Sequence, residues 1–119
     1  MFYYSRIMKK SIIKFIDFEK LDLRVGEVKE ATILEGSKNI IRMMVNLGED
    51  YGIVEILSGL AKYYTPEDLI GNKYIFLANL EPKKIMGKDS NGMILVADEA
   101  EKFFLLPLDK NLKNGTVIR

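Results

Sequence analysis

Residues 23–34, Leu-Arg-Val-Gly-Glu-Val-Lys-Glu-Ala-Thr-Ile-Leu, predict a long β-strand whose alternation of apolar and polar residues slips by one position. The apolar residues Val25 and Val28 fall on opposite parities on either side of Gly26. Such a slip is typical of a β-bulge, and small barrels use a bulge to bend one long strand across two sheets. The stretch therefore predicts a small β-barrel.

Two further strands are predicted after this one. Residues 41–47 carry apolar side chains at every odd position, which is typical of a strand with one buried face. A turn follows, and residues 51–57 predict a third strand. On the N-terminal side, residues 15–23 predict a short helical turn, capped by Asp17, that leads into the first strand.

A short helix and two more strands complete the predicted barrel. Pro66 and the acids behind it predict a helix over residues 65–70, which Gly71 ends. The inward-facing residues of the fourth and fifth strands are predicted to be Tyr74, Phe76, Ala78 and Leu80, then Met93, Leu95 and Ala97. Three strands, a helix and two strands is the order of the OB-fold. We therefore predict an all-β fold with short helices, a five-stranded OB-fold β-barrel with N- and C-terminal extensions.

The composition limits the chemistry of the chain. Its 119 residues, 48% of them hydrophobic, predict one folded domain. Cysteine and histidine are absent, which excludes disulfides, the usual zinc ligand sets and imidazole catalysis. No nucleophile–base pair and no metal-ligand spacing is found, so we predict a protein that is not an enzyme and uses no cofactor or metal. No apolar run approaches the roughly 18 residues of a membrane span. No signal peptide is recognisable either, so we expect no membrane partner and a cytoplasmic location.

Charge is distributed unevenly along the chain. The formal net charge is +1, yet residues 1–14 carry four basic side chains and no acid, so residues 15–119 carry a net charge of −3. We therefore predict a basic N-terminal segment over residues 1–14 and a domain over residues 15–119. A surface of this domain that binds nucleic acid must be a local patch, which favours recognition of shape over non-specific coating.

A lysine-rich polar loop is predicted between the fourth and fifth strands, within residues 79–97. Lys83, Lys84 and Lys88 fall within six positions of one another and predict a clamp for phosphate groups. The alternative is an ordinary solvated loop, because two acids in the same stretch reduce its net charge to +1.

Four blocks of sequence occur in the order and approximate spacing of one known module. They are Asp22-Leu23-Arg24-Val25-Gly26-Glu27-Val28, Leu57-Ser58-Gly59-Leu60-Ala61, residues 64–71 (Tyr-Thr-Pro-Glu-Asp-Leu-Ile-Gly) and the lysine-rich stretch 79–97. On these blocks the chain resembles the tRNA-binding OB-fold domain found at the C-terminus of many methionyl-tRNA synthetases. Similar domains occur in the endothelial monocyte-activating polypeptide family and as free-standing structure-specific tRNA-binding proteins. The resemblance runs from about Phe15 to Arg119.

The candidate tRNA-binding residues come from the strand pattern and from this resemblance. Lys38 lies in the first hairpin region and Arg42 on the outward parity of the second strand, so both are predicted to face one groove. Ser58 and Ser90 match small hydroxyl positions in the family's Val-Ser-Gly-Ile and Ser-x-Gly-Met blocks. The full predicted set is Lys38, Arg42, Ser58, Asn79, Lys83, Lys84, Lys88 and Ser90. The plainer alternatives are a solvated strand face for Lys38 and Arg42, a tight turn for Ser58 and a loop cap for Asn79.

The resemblance implies non-catalytic binding of folded tRNA through shape and phosphate contacts. It fits a free-standing protein or a detached C-terminal (beta) subunit of methionyl-tRNA synthetase, with the catalytic subunit as a partner. The alternative is a peptide-binding protein, because an export-related chaperone is similar to this module. The net negative domain favours the chaperone, whereas Ser90-Asn91-Gly92-Met93 and the lysines favour tRNA.

The run Phe103–Leu108 contains five large apolar residues among six, and something must cover them. One interpretation is packing against the chain's own barrel. The other is a homodimer interface, which the resemblance supports, with Phe2-Tyr3-Tyr4 as a second contribution or as a free tail. Met8 is an alternative first residue of the natural chain.

Overall fold

Strand β1 (Leu23–Ile33) organises the barrel in the computed structural model, which describes residues 8–119. Its first part pairs antiparallel with β4 (Lys73–Leu77), and its second part pairs antiparallel with β2 (Ile41–Asn46). One bent strand therefore belongs to both halves of the sheet, which is how a small barrel curls towards closure. Phe2-Tyr3-Tyr4, predicted above as an interface or a tail, lies outside the described residues.

The predicted bulge is present, but it lies further along the strand. The register between β1 and β2 shifts between Val28 and Glu30, and not around Gly26. Gly26 serves another purpose, because a Cβ atom built on it would lie 2.6 Å from Cδ1 of Phe76. The absence of a side chain lets the ring of Phe76 pack directly on the β1 backbone.

The five-stranded path confirms the predicted OB-fold. The order of hydrogen-bonded strands is β3 (Ile53–Ser58), β2, β1, β4 and β7 (Met93–Ile94), and β10 (Val117–Ile118) adds to the start of β1. At the outer edge of β3, the backbone nitrogen of Asn91 donates to the Glu55 carbonyl at 2.9 Å and brings the segment before β7 against β3. The remaining elements are α1 (Phe15–Phe18), α2 (Pro66–Leu69), β5 (Lys83–Ile85), β6 (Lys88–Ser90), β8 (Ala97–Glu99) and β9 (Lys102–Phe104).

Both predicted short helices are present, although α1 ends at Phe18 and does not extend towards Leu23. At α2, the carboxylate of Asp68 accepts a hydrogen bond from the Thr65 backbone nitrogen at 2.8 Å, and Gly71 follows with φ of 84°. At α1, the carboxylate of Asp17 accepts from the Lys14 backbone nitrogen at 3.3 Å. Both acids satisfy backbone donors that the first helical turn leaves unpaired. Neither helix is long and apolar enough to span a membrane.

The core confirms the predicted inward face of β2 and most of that of β4. The odd positions 41–47 are fully buried, as are Tyr74 and Phe76. Leu80 is 42% exposed, because β4 ends at Leu77 and the chain turns away before reaching it.

The predicted inward parity of the fifth strand is wrong. Met93 is 43% exposed, whereas Ile94 is buried. Residues 93–97 are all apolar, so their pattern does not distinguish the two faces of the strand. In the structure the even-numbered residues Ser90, Gly92 and Ile94 are buried, so the even positions of this segment face the core.

Only part of the apolar run Phe103–Leu108 packs against the chain's own barrel, as one of the two interpretations predicts. Phe103 packs edge-on against Tyr63 with ring centroids 6.0 Å apart, and Leu105 also contacts the core. Phe104 and Leu106 point outwards and are 39% and 48% exposed. Alternate residues of the run therefore serve the chain's own barrel, and the others remain on its surface.

Candidate nucleic-acid interface

The lysine-rich stretch is a β-hairpin, and not the irregular loop that its sequence predicts. Strands β5 and β6 pair antiparallel with Lys83 opposite Ser90, Lys84 opposite Asp89 and Ile85 opposite Lys88. Two residues, Met86 and Gly87, form the turn with φ of 50° and 82°. Positive φ at both positions is the geometry of a type I′ turn, which matches the twist of the paired strands.

The hairpin separates its three lysines onto two faces. Residues opposite each other in a hairpin share a face, and neighbours along a strand alternate. Lys83, Ile85, Lys88 and Ser90 therefore lie on one face, while Lys84 lies on the other beside Asp89, with Nζ 3.3 Å from the carboxylate. The three ammonium groups do not converge, and only Lys83 and Lys88 share a face.

Ser90 fixes the hairpin to strand β3. Only 4% of Ser90 is exposed, and its hydroxyl oxygen accepts a hydrogen bond from the Leu57 backbone nitrogen at 3.0 Å. The same hydroxyl donates to the carbonyl of Gly92 at 3.2 Å. The resemblance implies that the Ser90 hydroxyl contacts RNA, but in the structure it forms hydrogen bonds within the protein.

Arg42 and Lys88 are brought together by a carboxylate on β3. Nε of Arg42 lies 2.9 Å from Oε2 of Glu55, and Nζ of Lys88 lies 3.7 Å from the same oxygen. Strands β2, β3 and β6 thereby contribute one residue each to a charged cluster, which consists of Arg42, Glu55 and Lys88.

Lys38 is exposed in the turn that precedes β2. The hydroxyl oxygen of Ser37 accepts hydrogen bonds from the backbone nitrogens of Asn39 and Ile40 at 3.1 and 3.2 Å. These bonds hold the turn in one shape next to the start of β2.

A groove of about 330 Å³ lies between the end of β3 and the hairpin. Ser58 and Lys83 line it, and these are the predicted residues that the structure places together with the buried Ser90. Its apolar wall consists of Ile40, Leu80, Ile85 and Met93. Sequence reasoning assigned Leu80 and Met93 to the core, because an apolar side chain gives no signal that distinguishes a groove wall from an interior.

Asn79 serves a different part of the surface. Its side-chain oxygen accepts from the Asp22 backbone nitrogen at 2.9 Å, and its amide donates to the Lys20 carbonyl at 2.8 Å. Both ends of the side chain hold the segment that follows α1, beside a second cavity of about 410 Å³ that Phe15 and Val117 help to line.

Arg24 is occupied by acids of its own chain. Its guanidinium bonds Asp22 at 2.7 Å and Asp50 at 3.0 and 3.1 Å, and it lies 5.1 Å from the centre of the Tyr51 ring. The hydrogen bond to Asp50, followed by that to Asp22, raises the pKa of Arg24 above its ordinary value. This motif arginine stabilises the fold and is not presented to a ligand.

The pKa of Asp22 is lower than its ordinary value of 3.8. Burial opposes ionisation of this carboxyl, but hydrogen bonds from Tyr51, at 2.5 Å, and from Arg24 outweigh it. Asp22 is therefore held as a carboxylate by the surrounding fold.

The barrel, the groove and the flanking cations define an OB-fold binding domain. Residues 23–117 match the family described as "Putative tRNA binding domain", and the chain belongs to that family. This match confirms the resemblance seen in the four sequence blocks.

Methionine–tRNA ligases are among the curated relatives that this chain matches. The chain is 44% identical over 110 residues to a methionine–tRNA ligase of Caldanaerobacter subterraneus subsp. tengcongensis, covering 92% of the chain and 17% of the ligase. It is 47% identical over 102 residues to the corresponding ligase of Methanocaldococcus jannaschii, covering 85% of the chain and 15% of the ligase. The chain thus spans about a sixth of the length of these curated relatives.

Two solved structures superpose on nearly the whole barrel. A MetRS related protein from Pyrococcus horikoshii has a TM-score of 0.87 and 32% identity, over 92% of this chain and 100% of that one. The chaperone CsaA from Bacillus anthracis has a TM-score of 0.80 and 34% identity, over the same shares. A synthetase-related protein and a chaperone are therefore both found among the structural relatives of this chain.

Proposed function

We propose that this protein is a non-catalytic module of the cytoplasm that binds folded tRNA through its shape and its phosphates. The observation that carries the proposal is the hairpin face that Lys83 and Lys88 share, with Lys88 held near Arg42 of the barrel by Glu55. Phosphates need cations held at fixed separations, and side chains on paired strands provide them with less mobility than side chains on a loop.

The proposed contact surface extends from Lys38 across Arg42 and Lys88 to Lys83 and the groove beside Ser58. Ser90 and Asn79 would position backbone segments, while Lys84 lies on the far face of the hairpin. We place the tRNA-binding domain at residues 15–119, with residues 1–14 as a basic extension. By raising the local concentration of tRNA, the module would assist a methionyl-tRNA synthetase subunit.

A homodimer is part of the proposal. Phe104 and Leu106 are exposed on the C-terminal run, and Ile13, Phe15 and Ile16 are exposed around α1. Apolar side chains in such numbers are typical of surfaces that a second subunit covers.

Binding to tRNA is tested by fluorescence anisotropy with a folded tRNA and an unstructured RNA of equal length. We expect tighter binding of the tRNA at each salt concentration, and a decrease in affinity as salt rises, because phosphate contacts release counterions. Equal affinity for the two RNAs would contradict recognition by shape.

Peptide binding is the second candidate function, and the apolar wall of the groove favours it. Leu80 and Met93 offer apolar contact to an extended peptide, and CsaA is a chaperone of the same fold. An unfolded polypeptide added to the anisotropy assay distinguishes the two. If it binds while tRNA at low salt does not, the chaperone-like function replaces tRNA binding.

A further inference from the structure

Glu55 is the acid placed within the proposed cationic surface. It lies on β3, and its side chain is 22% exposed between Arg42 of β2 and Lys88 of β6. A single oxygen, Oε2, faces both cations, at 2.9 Å and 3.7 Å.

Phosphate and carboxylate oxygens compete for the same donors. Both accept charge-assisted hydrogen bonds from guanidinium and ammonium groups in similar geometry. An RNA phosphate that approaches Arg42 and Lys88 therefore meets two cations already paired with the chain's own anion.

Lys83 provides the contrast on the same hairpin face. Within residues 8–119 it makes no ion pair, whereas Lys88 is paired with Glu55 and Lys84 with Asp89. Among the described residues, Arg42 and Lys88 of this surface are thus paired with Glu55, whereas Lys83 has no such counter-charge.

We propose that Glu55 is a specificity-determining residue whose carboxylate occupies the place of an RNA phosphate. It lowers the affinity for any RNA whose phosphates cannot replace the carboxylate at both Arg42 and Lys88. This inference rests on the proposed function. A rigid, folded RNA presents its phosphates at fixed separations and displaces the carboxylate from both cations at once. A flexible strand must lose conformational freedom to do the same, so the acid penalises it more.

Replacement of Glu55 by glutamine tests the proposal, because the amide keeps the shape and one acceptor oxygen while removing the charge. We expect affinity for unstructured RNA to rise about fivefold, with a smaller rise for folded tRNA. The plot of log affinity against log salt should steepen by about one unit. Glu67→Gln, the same charge change at an exposed position on α2, is the matched control and should leave the ratio of the two affinities unchanged.

Coupling between residues provides a second readout. Lys88→Gln should cost about twofold in tRNA affinity in the wild-type background and about fivefold in the Glu55→Gln background, because the acid no longer neutralises the lysine. If Glu55→Gln does not fold, the proposal is tested by single lysine variants that keep Glu55. Lys83→Gln should then cost more affinity than Lys88→Gln.

The outcomes separate this inference from the proposed function. Wild-type protein that binds tRNA, together with a folded Glu55→Gln variant of unchanged affinity, salt slope and selectivity, would overturn the role of Glu55 alone. An equal cost of Lys83→Gln and Lys88→Gln would also overturn it. Wild-type protein that binds no tRNA at low salt would overturn the proposed function itself.

Discussion

The hydroxyl oxygen of Ser90 lies 3.0 Å from the backbone nitrogen of Leu57, and both residues are buried. A side chain from β6 thereby satisfies a donor at the outer edge of β3, where a neighbouring strand would otherwise supply a carbonyl. Because this bond fixes the hairpin to the barrel, it also sets the width of the groove between them.

Ser90→Ala should destabilise the protein by about 1–3 kcal/mol, because it leaves the buried Leu57 nitrogen without an acceptor. The free energy of unfolding in urea measures the effect. Ser58→Ala, on the half-buried groove wall, is the control and should change stability by less than about 0.5 kcal/mol. A Ser90→Ala protein of wild-type stability with weakened tRNA binding would indicate direct contact between the hydroxyl and RNA.

The double variant Lys83→Ala with Lys88→Ala should weaken tRNA binding and flatten the salt dependence by about one unit for each phosphate that is no longer bound. Lys84→Ala removes one positive charge from the opposite face of the hairpin and should have a smaller effect than either single replacement, Lys83→Ala or Lys88→Ala. Titration of labelled tRNA with each variant at several salt concentrations measures the affinities and their salt dependence. Comparable decreases in affinity from Lys84→Ala and from either of the other lysine variants would place the RNA on both faces.

Gly26→Ala should destabilise the barrel by about 1–3 kcal/mol through overpacking. The new methyl group would lie 2.6 Å from Phe76 and 2.8 Å from both Leu47 and Val45. Gly59→Ala is the matched control, since the nearest atom to its new methyl group is the Asn39 carbonyl oxygen at 4.0 Å. Thermal unfolding of the two variants measures the difference, and equal melting temperatures would contradict the tight packing at Gly26.

Acid should destabilise the protein as the pH falls below about 4, in part because Asp22 must be protonated. The pKa of Asp22 is lower in the folded chain than its ordinary 3.8, so its contribution to stability is complete above that value and is lost as the pH falls through the folded pKa. Asp22→Asn should be less stable near neutral pH and should lose less stability on acidification. Parallel pH profiles for the two proteins would contradict this role.

Leu106→Asp and Phe104→Asp should convert the proposed dimer into monomers, because each places a charge on an exposed apolar surface that the second subunit would cover. Sedimentation velocity at micromolar concentration measures the oligomeric state of each protein. Lys110→Asp, on the following exposed segment, is the control. A wild-type protein that sediments as a monomer removes the dimer from the proposal.

Local patterns predict the elements of this barrel better than they predict its contacts. The alternation over 41–47 and the start of α2 at Pro66 depend on neighbouring residues, and both are confirmed. The burial of Ser90 depends on Leu57, 33 residues earlier, and no local pattern contains that information. The same holds for Glu55, whose importance appears only when β2 and β6 lie on either side of it.

The position of β10 has a consequence for how the chain is made. Val25 in β1 donates its backbone hydrogen to Thr116 at 2.8 Å and accepts one from Gly115 at 2.7 Å. During synthesis these partners emerge from the ribosome some ninety residues after Val25. We therefore expect the nascent barrel to keep an open strand edge until residues 115–118 have been translated, and to be most susceptible to aggregation in that interval.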